Sequence, residues 1–281
     1  MNPPTALRPP LRRRLARSAW TATAWLAALV FFFPVLWMVL TAFKPESAAY
    51  TRSPDLFFPP TLVQFRAVFS RGIGSYLANS ALAAVLSTAL VLVLAAPAAY
   101  ALSVRPVKKW RNALFFFIST KMLPVVAAII PIYLAVRDLG ALDGIGTLIV
   151  LYAAMNLPVA VWMLRSFFLD VPREVLEAAR VDGATTRQEL TAVLLPMVLP
   201  GITATALICL IFSWNEFFLA LNLTSFRAAT IPVFLVGFIT SEGLYWAKLS
   251  AAATLACLPV LLAGWIAQRQ LVRGLSMGAV R

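Results

Sequence analysis

The chain has 281 residues, of which 61% are hydrophobic and 12% are charged, and it contains no histidine. A soluble domain carries about 25% charged residues, so the composition excludes an ordinary soluble protein and predicts an all-α polytopic membrane protein. The net charge of +13 would favour nucleic-acid binding in a soluble protein, but in a membrane protein it is typical of basic cytoplasmic loops. We therefore expect membrane lipid, and no nucleic acid, around this chain.

Six apolar runs are long enough to cross a hydrocarbon core about 30 Å thick. The predicted spans cover residues 20–41, 76–103, 112–136, 146–164, 201–223 and 248–268. A basic N-terminus precedes the first run, as in a signal peptide, but the run is too long for that role. We interpret it as an uncleaved first span.

The basic residues are divided unequally between the two sides of these spans. Sixteen of the 24 Lys and Arg residues lie in the N-terminus, the loop after the second span, the segment after the fourth and the C-terminal tail. Because Lys and Arg concentrate on cytoplasmic loops, we expect both termini in the cytoplasm.

Two segments on the opposite side are unusual. Residues 44–75, which include LFFPPTLVQFRAVF, are aromatic and interrupted by proline, and they predict an ordered outer cap. Residues 228–247 contain an apolar run of only about a dozen residues, which is short for a span and suits an interfacial or re-entrant element. The tip of this second segment is polar and aromatic, as contact surfaces are.

The stretch EAARVDGATTRQELTAVLLP interrupts the apolar sequence, and it is too polar and its helices are too short to cross a bilayer. Upstream of it, Asp170 and Pro172 predict the start of a short amphipathic helix, and Gly183 predicts its end. Thr186 and Glu189 have capping-box spacing and predict the start of a second helix. We therefore expect a helix–turn–helix beneath the membrane.

The chemistry of this segment leaves two interpretations open. It could be an ordinary pair of interfacial helices that connects the fourth span to the fifth. Alternatively, the small residues Ala178, Ala179 and Gly183 allow close backbone approach beside the charge of Glu177, which suits a knob that docks into the cleft of a partner protein.

The segment also carries a motif. EAA is followed by Gly183 four residues later and, after nine further residues, by V-x-L-P, with Val193 where isoleucine is usual. This spacing resembles the EAA loop of ABC importer permeases. The resemblance extends over about residues 76–281, through NSALAAVLST, APAAYALS and LVRGLSMGAVR. Within that class the chain is similar to MalG-like subunits of carbohydrate importers, and STKMLPVVAAIIPIYL, SWNEFFLALNLT and EGLYWAKLSAA look most like sorbitol/mannitol permeases.

The resemblance implies a type I ABC importer permease fold with six transmembrane helices, located in a bacterial cytoplasmic (inner) membrane. The implied organisation is a basic N-terminus (1–19), a first helix with its outer loop (20–74), a transmembrane core (75–269) that contains the EAA loop (170–200), and a cytoplasmic tail (270–281).

In such importers the EAA loop is a coupling helix that docks into a groove of a cytoplasmic ATPase dimer. The residues assigned to docking in this way are Glu177, Ala178, Ala179, Gly183, Ala184, Thr185, Thr186 and Glu189. The tail from Gly274 reaches the ATPases in similar subunits, the alternative being a frayed end. The chain has no G-x-x-x-x-G-K-[ST] phosphate loop, so we expect ATP and Mg on the partner ATPase and neither catalysis nor a bound cofactor here.

The resemblance also implies two further partners. A second, different permease would complete the pore, and an extracytoplasmic substrate-binding protein would deliver the substrate. The loop between the last two spans would contact that binding protein, and the residues carried over to this role are Ser241, Glu242, Gly243, Leu244, Tyr245 and Trp246.

Two charged residues, Lys121 and Glu216, fall at membrane depth, where each costs about 2.5–3.5 kcal/mol on insertion scales. They are expected either to pair with each other or to line a substrate path. The residues of that path are Lys121, Asn156, Trp214, Asn215 and Glu216. Polyol hydroxyl groups suit ammonium, carboxylate, amide and aromatic partners.

The same residues allow two other functions to be compared. An ion-gradient-driven secondary transporter would use Lys121 and Glu216 as its relay and would transport without a partner. A membrane-embedded enzyme would need a nucleophile and a base, and the sequence offers no convincing set. Cys209 and Cys257 lie inside apolar runs and are interpreted as small buried residues, so no zinc or haem site is expected.

Overall fold

The computed structural model of the chain describes residues 11–50, 56–122, 124–241 and 243–279. These residues form mostly helices, joined by short turns. In chain order the elements are α1 (Leu11–Ala42), α2 (Glu46–Ala49), α3 (Val63–Ser70), α4 (Ile73–Ser103), α5 (Trp110–Met122), α6 (Val125–Asp138), α7 (Ile145–Leu169), α8 (Arg173–Val181), α9 (Thr186–Gln188), a π-helical segment (Glu189–Leu194), α10 (Leu195–Met197), α11 (Leu199–Trp214), α12 (Phe218–Leu223), α13 (Ile231–Val236), β1 (Ile239–Thr240), β2 (Gly243–Leu244) and α14 (Trp246–Ala279).

Four helical stretches are each long and apolar enough to cross a membrane unbroken. They are Ser18–Ala42, Ile73–Ser103, Ile145–Leu169 and Trp246–Gln268. Two bent helix pairs, α5 with α6 and the segment Thr186–Met197 with α11, pass the same test of length and composition, so the described residues offer four to six spans. The third predicted span, 112–136, corresponds to α5 and α6, and the fifth, 201–223, corresponds to α11 and α12.

Two predicted spans differ from single continuous helices. The third is interrupted before Pro124, which begins α6 in extended conformation and cannot donate a backbone N–H. The fifth ends at Trp214 and restarts at Phe218. At that break the carboxylate of Glu216 accepts the backbone N–H groups of the new helix, so a side chain replaces the hydrogen bonds that a continuous helix would make.

The described chain divides into two compact units, the first comprising Met1–Val68 and Tyr245–Thr254. In this unit the ammonium group of Lys44 lies 4.4 Å from the ring centre of Trp37 and 5.0 Å from that of Phe58. Glu46 accepts backbone N–H groups at the start of α14, from Ala247 at 3.0 Å and from its neighbour at 3.3 Å. These contacts order the described part of the predicted outer cap.

The second unit comprises Phe69–Leu244 and Leu255–Arg281. Its centre is the packing of α4 against α7 and α11. Small residues face inward along α4, where Ala83, Ala84, Ala95 and Ala99 are fully buried. Small side chains let helices approach closely, which is how helices associate in a bilayer that offers no hydrophobic driving force between them.

Gly201 illustrates how close this approach is. A Cβ atom added at this position in α11 would lie 2.4 Å from the ring of Phe167. No real contact is that short, so any larger residue would push α11 away from α7.

The other end of α7 is fixed to a distant loop by Asp143. Its carboxylate accepts four backbone N–H groups at 3.0 to 3.2 Å, those of the consecutive residues Ser225, Phe226, Arg227 and Ala228. Although burial acts to raise it, these hydrogen bonds hold the pKa of Asp143 well below its ordinary value. Asn79 in α4 donates to two carbonyl groups of the same loop, so three segments meet there.

Candidate functional site

The segment between α7 and α11 carries the predicted coupling site. Its first helix, α8, starts directly after Pro172 and runs from Arg173 to Val181, close to the predicted bounds. Leu176 is the residue of α8 that is buried, and it joins a core cluster that includes Phe168 and Leu194. Most of the remaining α8 surface faces outward.

Gly183 ends α8, as the sequence predicted. Its φ of +85° is left-handed, which glycine adopts without strain. The amide of Ala184 donates to the carbonyl of Ala179 at 3.0 Å, and that of Gly183 donates to Arg180 at 3.1 Å. This is the Schellman arrangement. Because an added Cβ would meet no atom within 4 Å, the requirement for glycine here is conformational and not steric.

The second helix starts one residue earlier than predicted. Thr185, not Thr186, is the N-cap residue: its hydroxyl accepts the backbone N–H of Gln188 at 3.3 Å, and the Gln188 side chain accepts that of Thr185 at 2.9 Å. The capping box is therefore formed by Thr185 and Gln188. Sequence spacing allowed both registers, and the prediction for Thr186 with Glu189 was wrong.

Glu189 has a different role from the one predicted. Its side chain has 0% exposure, so in this structure it does not lie on an accessible docking face. Arg180 donates Nε to Oε2 at 3.1 Å and Nη2 to Oε1 at 2.7 Å. Arg105, just beyond α4, donates Nη2 to Oε2 at 2.8 Å. Arg180 foremost, and then Arg105 against the opposing effect of burial, lower the pKa of Glu189 to about 2.

The other predicted docking residues are accessible. Of these, the exposed residues are Glu177, Ala178, Gly183, Thr185 and Thr186, and the half-buried ones are Ala179 and Ala184. Val181, which the sequence analysis did not single out, is 87% exposed at the end of α8. Val181 therefore adds an apolar side chain to the accessible surface of this turn.

A cavity of about 300 Å³ lies beside α8. Its lining includes Ser103, Phe168, Arg173, Leu176, Glu177 and Arg180. The first motif residue, Glu177, therefore faces a concave space between α8 and the end of α4, with two guanidinium groups in the same wall.

After α9 the chain continues as a π-helical segment and α10, and then turns sharply into α11. The stretch Thr186–Met197 makes an angle of 82° with α11. The helix–turn–helix thus leads directly into a helix of the α4–α7–α11 core.

The residues predicted to line a substrate path lie in different environments. Asn156 is fully buried and donates Nδ2 to the hydroxyl of Ser213 at 2.9 Å, and Ser213 in turn bonds Ser87 at 3.0 Å. These bonds join α7, α11 and α4. Trp214 is also buried, at 6% exposure, whereas Asn215 is exposed. Asn156 and Trp214 therefore lie within the helix core of this chain.

Lys121 and Glu216 do not pair with each other, so that part of the prediction was wrong. Lys121 is exposed in the last turn of α5. The half-buried carboxylate of Glu216 instead accepts the backbone N–H groups of Leu219, at 3.0 Å, and Ala220, at 3.2 Å. Oxygen acceptors at a helix start satisfy N–H groups that have no partner within the helix.

The predicted binding-protein contact forms the β1–β2 hairpin and the start of α14. Thr240 pairs with Gly243 across the hairpin, where Ser241 is exposed and Leu244 is half-buried. Glu242 lies outside the described residues. At the start of α14, Tyr245 is half-buried and Trp246 is 45% exposed.

The chain belongs to the family of binding-protein-dependent transport system inner membrane components, whose profile matches residues 91–276. It is 38% identical over 270 residues to the probable ABC transporter permease protein y4oR of Sinorhizobium fredii, covering 96% of this chain and 97% of that protein. It is 33% identical over 277 residues to a diacetylchitobiose uptake system permease of Streptomyces coelicolor, covering 96% and 100% of the two chains. The trehalose/maltose permease of Thermococcus litoralis is 31% identical over 261 residues, covering 91% and 94%.

The fold is also similar to that of a bacterial ABC transporter involved in the import of the polysaccharide alginate. That similarity has a TM-score of 0.73 at 23% identity and covers 95% of this chain and 100% of the other. The all-α type I permease fold is thereby confirmed, and the protein is a multi-pass inner-membrane component of an ABC transport system.

Proposed function

We propose that this chain is the permease subunit of an ATP-driven importer for a carbohydrate, and that it forms half of the translocation pore. The observation that carries the proposal is the compact turn of α8, Gly183 and α9, which presents the EAA motif on an exposed knob. Relatives named for the uptake of diacetylchitobiose, trehalose/maltose and sulfoquinovosyl glycerol support the carbohydrate class.

The knob is proposed to dock into a separate ATPase dimer, which binds ATP and Mg. Its contact surface would consist of Glu177, Ala178, Val181 and Gly183 with the adjoining start of α9. Docking transmits a movement only if the ATPase holds the knob differently in two states, since a ligand shifts an equilibrium only by its differential affinity. The short helix α8, whose end is closed by the hydrogen-bonded turn at Gly183, is suited to moving as a rigid body.

On the opposite side of the membrane, the hairpin and the start of α14 are proposed to contact a substrate-binding protein. The residues there, Ser241, Tyr245 and Trp246, have the mixed polar and aromatic composition of protein interfaces. A second permease would complete the pore, and both termini of this chain would lie in the cytoplasm, as the distribution of Lys and Arg predicts.

Which carbohydrate is transported stays a prediction. The sequence motifs led us to expect sorbitol or mannitol, whereas the relatives named above are named for the transport of glycosides. Of the predicted path residues, Asn215 and Lys121 are exposed and offer hydroxyl-binding groups toward a partner permease. The buried Asn156 and Trp214 would instead stabilise the wall of the path.

The test is purification of the chain from its native membrane, followed by reconstitution of the copurifying complex into liposomes. We expect an ATPase and a second permease to copurify. Uptake should then require ATP and the binding protein, and it should persist when an uncoupler removes the ion gradient. Adding trehalose, maltose, diacetylchitobiose, sorbitol and mannitol in turn would identify the substrate by the stimulation of ATP hydrolysis.

The ion-driven alternative predicts the opposite results. The purified chain alone would transport, ATP would have no effect, and an uncoupler would abolish uptake. Those results would overturn the proposed function.

A further inference from the structure

We propose that Glu189 is a positioning residue that fixes the coupling helix α8 to the end of α4, so that movement of α8 is passed to the helix core. This inference rests on the proposed function, because it assigns to one carboxylate the task of carrying the movement that a docked ATPase produces. It concerns contacts inside this chain and not contacts with the ATPase.

The carboxylate of Glu189 has partners in two separate segments. Both of its oxygens accept hydrogen bonds from guanidinium groups, two from Arg180 and one from Arg105, at 2.7 to 3.1 Å. The whole of α5, α6 and α7 separates the two arginines in the chain, and Arg105 lies 84 residues from Glu189. One carboxylate therefore links the loop after α4, the helix α8 and the segment that leads into α11.

The apolar packing of α8 is centred on one residue. Within α8, Leu176 is the buried residue, and Arg180 follows it four positions later, on the same face of the helix. Packing centred on one side chain restrains the position of a helix more than its tilt and roll. A two-point hydrogen bond one turn further along removes that freedom, because paired N–H to carboxylate bonds have a strict relative orientation.

Glu189 differs from the acid of an ordinary surface ion pair. It is 0% exposed although its neighbours at positions 185–188 face solvent. Its arginine partners keep exposures of 38% and 44%, so their charges remain partly hydrated. The carboxylate is therefore held in one orientation, and the link avoids the full cost of burying three charged groups.

The experiment measures coupling in the complete transporter, reconstituted with the copurifying permease, ATPase and binding protein. Glu189→Gln keeps the size of the side chain but removes its charge and half of its acceptor capacity. We expect the number of substrate molecules imported per ATP hydrolysed to fall about fivefold, while ATP hydrolysis changes less than about twofold. A purely structural role would lower transport and hydrolysis together and leave their ratio unchanged.

The matched control is Asp138→Asn. Asp138 also accepts a bond from an arginine, Arg137, at 2.8 Å, but both side chains of that pair are more than half exposed. The same loss of charge there should leave the transport-to-hydrolysis ratio unchanged.

Conservative variants of the two arginines give a second, independent test. Arg180 binds both oxygens with two nitrogen atoms, which lysine cannot reproduce, whereas Arg105 uses one nitrogen atom. Arg105→Lys should therefore retain most of the coupling, and Arg180→Lys should lose it nearly as fully as Glu189→Gln.

The possible outcomes distinguish a failure of the proposed function from a failure of the role assigned to Glu189. If the unaltered complex does not couple ATP hydrolysis to uptake, the proposed function fails. If it does, and Glu189→Gln couples with the same ratio, this inference alone fails. If Glu189→Gln does not assemble, the two lysine variants decide, because equal effects of Arg105→Lys and Arg180→Lys would overturn the inference and unequal effects in the stated order would support it.

Discussion

Two acidic residues join distant parts of this chain in different ways. Asp143 binds four consecutive backbone N–H groups of one loop, and its own backbone is in the left-handed region at a φ of +54°. Glu189 binds guanidinium groups from two separate segments. Asp143 therefore holds main-chain groups, whereas Glu189 holds arginine side chains.

The difference indicates which parts of the molecule are built to move. Backbone N–H groups that converge on one carboxylate fix the shape of their loop, because no dihedral angle can change without breaking a bond. Two guanidinium groups on one carboxylate instead hold three separate segments in a fixed relative orientation. We infer that the loop held by Asp143 is a local anchor and that the contact at Glu189 links α8 to the helix core, so that the two move together.

The largest expected effect is on the anchor. Asp143→Ala leaves four backbone N–H groups without their acceptor, and bonds to a charged acceptor contribute about 1.5–3 kcal/mol each without being additive. We expect a loss of stability of about 3–5 kcal/mol, measured as unfolding of the purified protein in detergent. Asp143→Asn keeps one acceptor oxygen and should lose about half as much. An equal loss for both variants would contradict the anchor.

The link at Glu189 should be sensitive to acid. Since the pKa of Glu189 is lowered from 4.5 to about 2, its ionised form stabilises the folded state. That stabilisation is complete above about pH 5 and disappears as the pH falls toward 2. The difference in melting temperature between the unaltered protein and Glu189→Gln should therefore be constant from pH 5 to 8 and should shrink below that range. A difference that changes between pH 6 and 8 would contradict the assignment.

The turn after α8 gives a smaller effect. Gly183→Ala places a side chain at a φ of +85° without a steric contact, which should cost about 1–2 kcal/mol of backbone strain. The strain should shift the turn and reduce substrate import per ATP hydrolysed. Gly146→Ala is the matched control, because an added Cβ there also meets no atom within 4 Å and the backbone is helical. Equal effects of the two variants on unfolding would contradict the role of the left-handed turn.

Replacing Glu216 tests whether this residue only caps α12 or also lines the substrate path. Glu216→Ala removes the acceptor for two N–H groups of α12, so stability should fall by about 0.5–2 kcal/mol. If Glu216 acts only as this cap, the substrate concentration for half-maximal uptake should stay unchanged. A changed value would instead place Glu216 on the substrate path.

The smallest effect on stability is expected at the exposed ion pair of Arg137 and Asp138. Removing its charge with Asp138→Asn should change stability by less than about 1 kcal/mol, because solvent screens exposed ion pairs. A loss as large as that of Asp143→Ala would show that exposure does not separate strong links from weak ones in this protein.

Much of the fold follows from local sequence. The apolar runs predicted the approximate bounds of the four unbroken spans, and Gly183 predicted the end of α8. The two broken spans were harder to predict, because each break depends on a particular residue. Pro124 removes a backbone donor, and Glu216 provides an acceptor for a new helix start, whereas hydropathy over the same windows stays high.

The candidate site was predicted only in outline. The motif identified the knob and assigned Glu189 to the docking face, and capping-box spacing assigned it to a helix start. Thr185 and Thr186 offer nearly the same capping chemistry, so spacing alone did not choose between them. The burial of Glu189 depends on Arg105, which lies in another segment, and such a partner is not visible in the spacing of one segment.

The sequence by itself determined the membrane class, the helices and the glycine turn, because each depends on neighbouring residues or on the φ angle of one residue. The tertiary structure alone decided that Glu189 meets Arg105, 84 residues away, and that Asn156 meets Ser213, 57 residues away. Such partners are chosen by how whole helices pack, since a buried polar group must find its hydrogen bonds in whatever surface the fold brings to it.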